Sequence, residues 1–276
     1  KDSCQVLTIN DSGTASLNSR SIQAFDSDGT VCVWLEGVWN EEQELHVYNL
    51  DDQSGGIISF GHISKIWLLG DVIYWSETRD GSVYLKSYDI HSAYFQNIFS
   101  SEIPAFSFEF DMQQANLIVY YTYDGYITAL NYVWDGVMVE FARSGDQYDY
   151  IYSKFIIHNE NVYFSYRKNN RLYLAVYNIL EEDCKNIIDF GENYDGIVKM
   201  MKNEYSMFLD VVTSDQYASH YKINFIDNSF REIFDDFIYA TMCCVSENGM
   251  IFYNNRSNLY IANSLTEESK QISYLL

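Results

Sequence analysis

The chain has 276 residues, of which 47% are hydrophobic and 17% aromatic, including 25 Tyr and 17 Phe. This supply of core-forming side chains excludes a disordered chain and predicts a sizeable buried core. The formal net charge of −22 disfavours nucleic acids and anionic membranes as partners, because both carry negative charge.

Targeting signals and metal motifs are not evident in the sequence. No apolar run approaches the ~20 residues that span a bilayer, so we expect no membrane insertion. The five cysteines show no CxxC or CxxH spacing, which argues against a zinc site and a disulfide framework. The oxidation state of the adjacent Cys243 and Cys244 stays open. We favour a secreted or cell-surface location over a cytoplasmic one.

In chain order, the first predicted element is a strand over residues 5–9, and a repeated unit follows it. Each unit has an apolar stretch, an aromatic-rich strand, a turn of Gly, Asn or Asp, a second alternating strand and a shorter final stretch. In the second unit these central strands are Val72–Trp75 and Val83–Tyr88, with period-two alternation. The units cover residues 21–60, 65–99, 105–141, 152–188, 197–234 and 239–274.

The spacing of four aromatic residues indicates the repeat length. Tyr120, Phe164, Phe208 and Phe252 follow one another at intervals of 44 residues. Six units of four antiparallel strands predict an all-β fold, namely a six-bladed β-propeller in a single domain over residues 1–276. The strand at 5–9 would close the ring near the two termini. The alternative, a two-sheet β-sandwich, does not explain a period that recurs six times.

One unit carries a recognisable motif. Residues 73–77 (IYWSE), followed by residues 81–84 (GSVY), resemble the YWTD blade of low-density-lipoprotein-receptor-type propellers. The other units keep only the aromatic-rich strand, as at residues 120–123 (YYTY) and 163–166 (YFSY), and the chain resembles bacterial six-bladed propellers of that broad type. The resemblance implies a binding or scaffold role, and it supplies no catalytic residues.

Catalytic residues are not indicated by the sequence. His46 and His220 fall in predicted third strands. His91 and His158 fall on loops of the face opposite the predicted channel mouth, so only His62 is suitably placed for that mouth. No GxSxG elbow is present, and a His-based metal cage or relay is poorly supported. The 39 acidic residues leave a pair of catalytic carboxylates open, because sequence does not fix the distance between them. We therefore predict no catalytic residues, no metal ligands and no cofactor.

A binding face is predicted where loops between second and third strands meet the linkers between blades. Tyr and Trp in such loops offer rigid contact area with a polar tip. This face also includes Arg167, Asp195 and Glu44. The predicted partner-binding residues are Trp39, Arg79, Tyr123, Tyr148, Tyr150, Tyr194 and Tyr217.

Three functions remain open. The first is a non-enzymatic module that binds a protein or peptide partner on this face. The second is a carbohydrate-binding or glycan-cleaving propeller that uses loop aromatics and paired carboxylates. The third is a purely structural domain of a larger surface protein.

Overall fold

The computed structural model describes most of the chain as β-strands joined by short turns. The described residues are 7–9, 15–17, 21–38, 41–80, 82–101, 105–111, 117–124, 127–134, 137–145, 147–215, 217–233, 240–246, 249–255, 258–263, 266 and 269–271. Every regular element in these ranges is a strand, which confirms the all-β class. In the same ranges no helix is long and apolar enough to cross a membrane.

Alternating burial explains why these segments form strands. In the strand SVYLKSYD at Ser82–Asp89, buried and half-buried side chains alternate because successive residues point to opposite faces. In the strand SMFLDVVT at Ser206–Thr213, both faces are covered and six consecutive residues are buried. The second strands of the repeat therefore lie inside the fold, as their apolar sequences predict.

The chain divides into two compact units, of which unit 1 is Lys1–Ala105. Its larger sheet has seven antiparallel strands in chain order, and its smaller sheet pairs β1 with β2. The strands are β1 (Leu7–Ile9), β2 (Ala15–Leu17), β3 (Ser21–Ser27), β4 (Val31–Gly37), β5 (Gln43–Asn49), β6 (Gly55–Leu69), β7 (Val72–Arg79), β8 (Ser82–Asp89) and β9 (Tyr94–Ser101).

Strand β6 joins two four-stranded meanders within the seven-stranded sheet. Its first half, residues 55–61, pairs with β5, and its second half, residues 62–69, pairs with β7. Gly61 lies at the change of partner, where an added Cβ would approach the Glu77 side chain to 3.2 Å. The two meanders of unit 1 therefore share one uninterrupted strand.

Among its described residues, unit 2, Phe106–Leu276, contains four sheets of four antiparallel strands each, all in chain order, and the first of these strands begins at the last residue of unit 1. The first two sheets comprise β10 (Ala105–Asp111), β11 (Leu117–Asp124), β12 (Ile127–Trp134) and β13 (Val137–Arg143), then β14 (Tyr150–His158), β15 (Asn161–Lys168), β16 (Arg171–Asn178) and β17 (Asp183–Gly191). The last two comprise β18 (Tyr194–Lys202), β19 (Ser206–Thr213), β20 (Ala218–Asn224) and β21 (Phe230–Ile233), then β22 (Ala240–Val245), β23 (Met250–Asn255), β24 (Asn258–Asn263) and β25 (Ser269–Gln271).

Consecutive sheets of unit 2 pack on one another. Strand β14 contacts β12 and β18, and β18 contacts β22. The hydrophobic clusters described in unit 2 draw side chains from two neighbouring sheets each; one of them joins Val119 of β11 to Phe164 of β15. A single sheet could not bury both of its faces, so the stacking supplies the core.

The 44-residue aromatics of unit 2 all lie in the second strand of a sheet, but they do not all face the same neighbour. Phe164 packs in the cluster shared with the preceding sheet, and Phe208 packs in the cluster shared with the following sheet. Tyr120, Phe164, Phe208 and Phe252 lie in β11, β15, β19 and β23, the second strand of each sheet. Phe164 and Phe208 are almost completely buried. Their role is packing, as the repeat predicts. The number of blades, the closure of the ring and the single-domain organisation over residues 1–276 stay predictions.

Two polar side chains connect neighbouring sheets of unit 2 inside the core. Asp210 of β19 accepts a hydrogen bond from the Met242 N–H of β22 at 2.9 Å, and from His220 Nδ1 at 2.7 Å. Thr128 Oγ1 of β12 accepts one from the Ile151 N–H of β14 at 3.0 Å. These bonds satisfy backbone donors that face the adjacent sheet rather than a neighbouring strand.

Candidate functional site

A group of tyrosines lies in unit 2 where β14 and β18 begin. Tyr150 starts β14 opposite Arg167 of β15, and its ring packs edge-on against that of Tyr152 at 5.1 Å. Tyr194 starts β18, and its hydroxyl lies 3.1 Å from that of Tyr221. Because strands β14 and β18 are in contact, both starting tyrosines belong to one region of the unit.

Arg167 holds these two strand beginnings together. Its Nε donates to Tyr152 Oη at 2.8 Å, and its terminal nitrogens donate to the Tyr194 carbonyl and, at 3.1 Å, to Asn170 Oδ1. The guanidinium also lies 3.5 Å from Asp195 Oδ1. A planar group with five donors suits such a junction, and Arg167 is therefore a positioning residue.

Asp195 and the residues next to it complete the junction. Ser214 Oγ donates to Asp195 Oδ1 at 3.3 Å, and the Tyr152 hydroxyl donates to the Asp195 carbonyl. At Gly196 an added Cβ would lie 2.8 Å from Tyr152 Cε1, so glycine lets the ring lie directly on the backbone. The orientation of Tyr152 is consequently fixed on three sides.

Two further tyrosines adjoin this junction, Tyr217 on a turn and Tyr123 near the end of a strand. Tyr217 and Thr213 exchange hydrogen bonds across their turn, and the neighbouring Ser214 N–H donates to the Asn193 carbonyl at 2.9 Å. Tyr123 of β11 pairs with Thr128, the residue that accepts from the Ile151 N–H. We call the set the tyrosine surface; it comprises Tyr123, Tyr150, Tyr152, Tyr194 and Tyr217 with Arg167 and Asp195.

Burial shifts the pKa of the inner phenols of this region further upward. It raises the pKa of Tyr152, although the hydrogen bond from Arg167 acts in the opposite direction. It also raises the pKa of Tyr121, with a further contribution from a hydrogen bond to Tyr150. Both side chains therefore stay protonated at neutral pH and can donate hydrogen bonds.

The predicted site residues divide into several groups. Tyr123, Tyr150 and Tyr217 are 40%, 41% and 41% exposed, and Tyr194 is half-buried, so unit 2 brings these four into or beside the junction. Arg79 belongs to unit 1, where it is exposed at the end of β7 and lies 3.7 Å from Asp80. Trp39 lies outside the described residues.

Tyr148 differs from the other predicted site residues because it is only 9% exposed. Its ring contacts those of Phe164 and Tyr166, and its hydroxyl lies 3.7 Å from Cys184 Sγ. It is a packing residue and contributes no ring to the tyrosine surface. Tyr152 was missed by the sequence prediction, although its spacing of two from Tyr150 on a strand places both side chains on one face.

Unit 1 contains a pair of carboxylates around a histidine. Glu36 of β4 and Glu44 of β5 are directly opposite each other, and His46 Nε2 lies 3.6 Å and 3.2 Å from their respective Oε2 atoms. The Trp34 ring stacks on His46 with centroids 5.0 Å apart. Opposed like charges destabilise a strand pair, and here the His46 ring nitrogen lies between the two carboxylates.

The described residues give little support to a metal site, a reactive thiol or a catalytic Asp–His pair. No group of three or more His, Cys, Asp or Glu side chains there could hold a metal ion. Desolvation of the sulfur raises the pKa of the Cys184 thiol, which disfavours a nucleophilic thiolate. The Asp210–His220 pair is almost completely buried and serves the core rather than a surface reaction.

The fold is similar to that of several solved enzymes. Comparison with family models and with curated proteins found no match. A prolyl endopeptidase is similar at TM-score 0.71 and 10% identity, over 98% of this chain and 46% of the endopeptidase. An oligogalacturonate lyase from Vibrio parahaemolyticus is similar at 0.68 and 10%, over 98% and 84% of the two chains. The β-propeller domain of the trilobed protease from Pyrococcus furiosus is similar at 0.66 and 12%, over 92% and 85%.

These likenesses confirm the propeller fold, and at this identity they show the fold alone. This chain spans about half the length of the prolyl endopeptidase. The likeness to YWTD-type propellers is not confirmed. The prediction of a non-enzymatic binding module is wrong, because the similar propellers belong to enzymes: an endopeptidase, a lyase and a protease. The error arose because a propeller with few histidines was taken to have no part in catalysis.

Proposed function

We propose that this chain is an enzymatic propeller that acts on a carbohydrate polymer and binds it at the tyrosine surface. The observation that carries the proposal is the Tyr150 ring, which is 41% exposed and held edge-on by Tyr152. An aromatic face fixed in this way offers apolar contact to a sugar ring at little entropic cost. The neighbouring phenols supply hydrogen bonds to sugar hydroxyls.

One of the similar propellers, the oligogalacturonate lyase, has a carbohydrate polymer as its substrate, and this likeness supports the proposal. Coverage does not distinguish it from the protease propeller domain, because both match this chain over most of their lengths. The number of blades and the closure of the ring are part of the same proposal. The repeat of 44 residues and the four-stranded meanders support six blades, with the ring closed near the two termini.

Replacing Tyr150 with alanine should weaken binding of neutral oligosaccharides about tenfold, because the stacking face is lost. Isothermal titration with hexamers of glucose, xylose and N-acetylglucosamine measures this. Tyr205→Ala is the matched control, since Tyr205 is 58% exposed in the turn after β18, at the opposite end of that strand from Tyr194. Equal affinities of the wild type and Tyr150→Ala for every hexamer bound would contradict the assignment.

As a second candidate function, we propose glycoside cleavage by unit 1 on its own, with Glu36 and Glu44 as the pair of carboxylates. Their Oε2 atoms lie 3.6 and 3.2 Å from one nitrogen, so they are at most 6.8 Å apart, the sum of the two distances. Retaining glycoside hydrolysis uses two carboxyls roughly 5–5.5 Å apart, a separation that this limit allows. One carboxyl protonates the leaving oxygen while the other attacks the anomeric carbon; the first then takes a proton from the water that releases the sugar from the second. His46 contacts both and positions them.

Glu44→Gln should lower the rate of glycoside cleavage about 100-fold or more, because an amide can neither deliver the proton nor act as the nucleophile. The rate is measured as reducing ends released from a panel of polysaccharides. Glu42→Gln removes an exposed charge two residues away and is expected to leave the rate unchanged. Similar rates in Glu44→Gln and the wild type would exclude this pair from catalysis.

A further inference from the structure

Two tyrosines of the tyrosine surface are each hydrogen-bonded to a buried tyrosine behind them. The hydroxyls of Tyr194 and Tyr221 lie 3.1 Å apart; Tyr194 is half-buried and Tyr221 is buried. Tyr150, which is exposed, is hydrogen-bonded to the buried Tyr121. The first strands of two consecutive sheets, β14 and β18, therefore begin with the same arrangement, a surface phenol backed by a buried one.

In the first pair the buried Tyr121 donates and Tyr150 accepts. Burial raises the pKa of Tyr121 and its bond to Tyr150 raises it further, whereas its bond to Thr128 lowers it. A hydrogen bond raises the pKa of a phenol that donates it and lowers that of a phenol that accepts it. Thr128 Oγ1 accepts from the Ile151 N–H at 3.0 Å, and its own proton goes to Tyr121. The donors therefore run outward, from Thr128 through Tyr121 to Tyr150.

The second pair is ordered in the same way by a serine. Burial raises the pKa of Tyr221 and its bond to Tyr194 raises it further, whereas its bond to Ser219 lowers it. A buried hydroxyl needs an acceptor inside the protein, and the Tyr194 oxygen is that acceptor. Because the oxygens of Tyr150 and Tyr194 accept from inside, their own protons are directed outward, where a ligand can accept them.

The two outward hydroxyls belong to one continuous surface. The Tyr150 ring packs against that of Tyr152 at 5.1 Å, and the Tyr152 hydroxyl accepts from Arg167 Nε at 2.8 Å. Arg167 donates in turn to the Tyr194 carbonyl. An extended ligand that lies along these contacts would therefore meet both hydroxyls.

The charges around these hydroxyls favour a neutral ligand. Arg167 is paired with Asp195 at 3.5 Å, and Arg171, on the turn that carries Lys168, is paired with Asp189 at 2.9 Å. A uronate would have to compete with these aspartates for the arginines, and the net charge of −22 repels it. An ammonium group only donates hydrogen bonds, so it does not match phenols whose protons face outward.

We infer that the ligands of the tyrosine surface are oligomers of an N-acetylated sugar, whose amide carbonyls accept hydrogen bonds from Tyr150 and Tyr194. This inference rests on the proposed carbohydrate function and adds the substrate class. An acetamido group combines a neutral carbonyl, which only accepts hydrogen bonds, with a methyl group that packs on an aromatic face. Both parts match a surface of phenols that donate outward.

The test compares the hexamers of N-acetylglucosamine, glucose and galacturonate by isothermal titration at about pH 7. We expect the N-acetylglucosamine hexamer to bind about tenfold more tightly than the glucose hexamer, because glucose offers the same ring face without the carbonyl. The galacturonate hexamer should bind most weakly. Raising the salt from about 20 to 300 mM should leave N-acetylglucosamine binding unchanged, since a neutral ligand makes no charge pair to screen.

Tyr150→Phe and Tyr194→Phe remove the outward hydroxyls and keep the rings. Each should weaken binding of the N-acetylglucosamine hexamer about threefold to tenfold, the effect of one lost hydrogen bond. Binding of the glucose hexamer should stay close to that of the wild type, which also shows that the variants are folded. Tyr205→Phe removes an exposed hydroxyl at the other end of β18 and is the matched control.

Each other result has a defined meaning. Equal binding of the N-acetylglucosamine and glucose hexamers overturns the inference and leaves the proposed function standing, and so does tighter binding of galacturonate. Unchanged N-acetylglucosamine binding in both phenylalanine variants overturns the role of the hydroxyls. A neutral hexapeptide of glycine and alanine that binds as tightly, with the same loss in Tyr150→Phe, overturns a sugar as the ligand. Failure of every oligosaccharide to bind removes the proposed function as well.

Discussion

Asp210→Ala is expected to lower the free energy of unfolding by about 3–5 kcal/mol, because two buried donors lose their acceptor and each loss costs about 1–3 kcal/mol. Asp210 is 0% exposed and accepts from His220 Nδ1 and from the Met242 N–H. Alanine would leave both donors buried without an acceptor. Because the Met242 bond joins two sheets, the loss also loosens their packing. Urea denaturation followed by tyrosine fluorescence measures the change.

Two variants separate this effect from the removal of charge alone. Asp210→Asn keeps an acceptor oxygen for one donor and should cost clearly less than alanine. Asp189→Ala breaks the exposed pair with Arg171 on neighbouring strands of unit 2 and should change stability little. A stability of Asp210→Ala equal to that of Asp189→Ala would show that the buried pair contributes nothing to the fold.

Phe164→Ala should destabilise the protein by about 3–5 kcal/mol, the range for an aromatic side chain removed from a packed core. Phe164 is 0% exposed, and its ring contacts those of Phe141, Tyr148 and Tyr166. The cavity would lie between two sheets, where partners from both sides lose contact. Thermal or urea unfolding of the variant provides the measurement.

The matched control is Phe230→Ala in β21, also in unit 2, where the ring is 50% exposed. It should change stability by no more than about 0.5 kcal/mol. Phe164→Leu keeps most of the volume and should fall between the two variants. If Phe164→Ala unfolds at the same denaturant concentration as Phe230→Ala, the 44-residue position has no special part in the core.

The repeat made the strands predictable, because period-two alternation and turn residues are local properties of the chain. The 44-residue spacing also identified which aromatics pack, as Phe164 and Phe208 show. It did not identify Tyr148, since a residue just before a strand can turn inward or outward, and only the neighbouring sheet determines which. In this protein the Tyr148 ring packs in the hydrophobic cluster that contains Phe164.

Contacts between residues far apart along the chain could not be predicted from the sequence, for a different reason. Glu36 and Glu44 face each other only because β4 and β5 pair in a particular register, which places His46 between the carboxylates. The Asp210–Met242 bond likewise depends on the stacking of two sheets. Spacing along the chain can suggest that side chains share a face, as with Tyr150 and Tyr152, but cross-strand register needs the folded structure.

Strand β6 has a consequence for how this chain can change in evolution. Its two halves belong to different meanders, yet no loop separates residue 61 from residue 62. An insertion at that point would break backbone pairing on both sides at once, whereas the turns between the sheets of unit 2 can lengthen without such loss. We therefore expect added segments in homologous chains to enter at those turns, and β6 to keep its length of 15 residues.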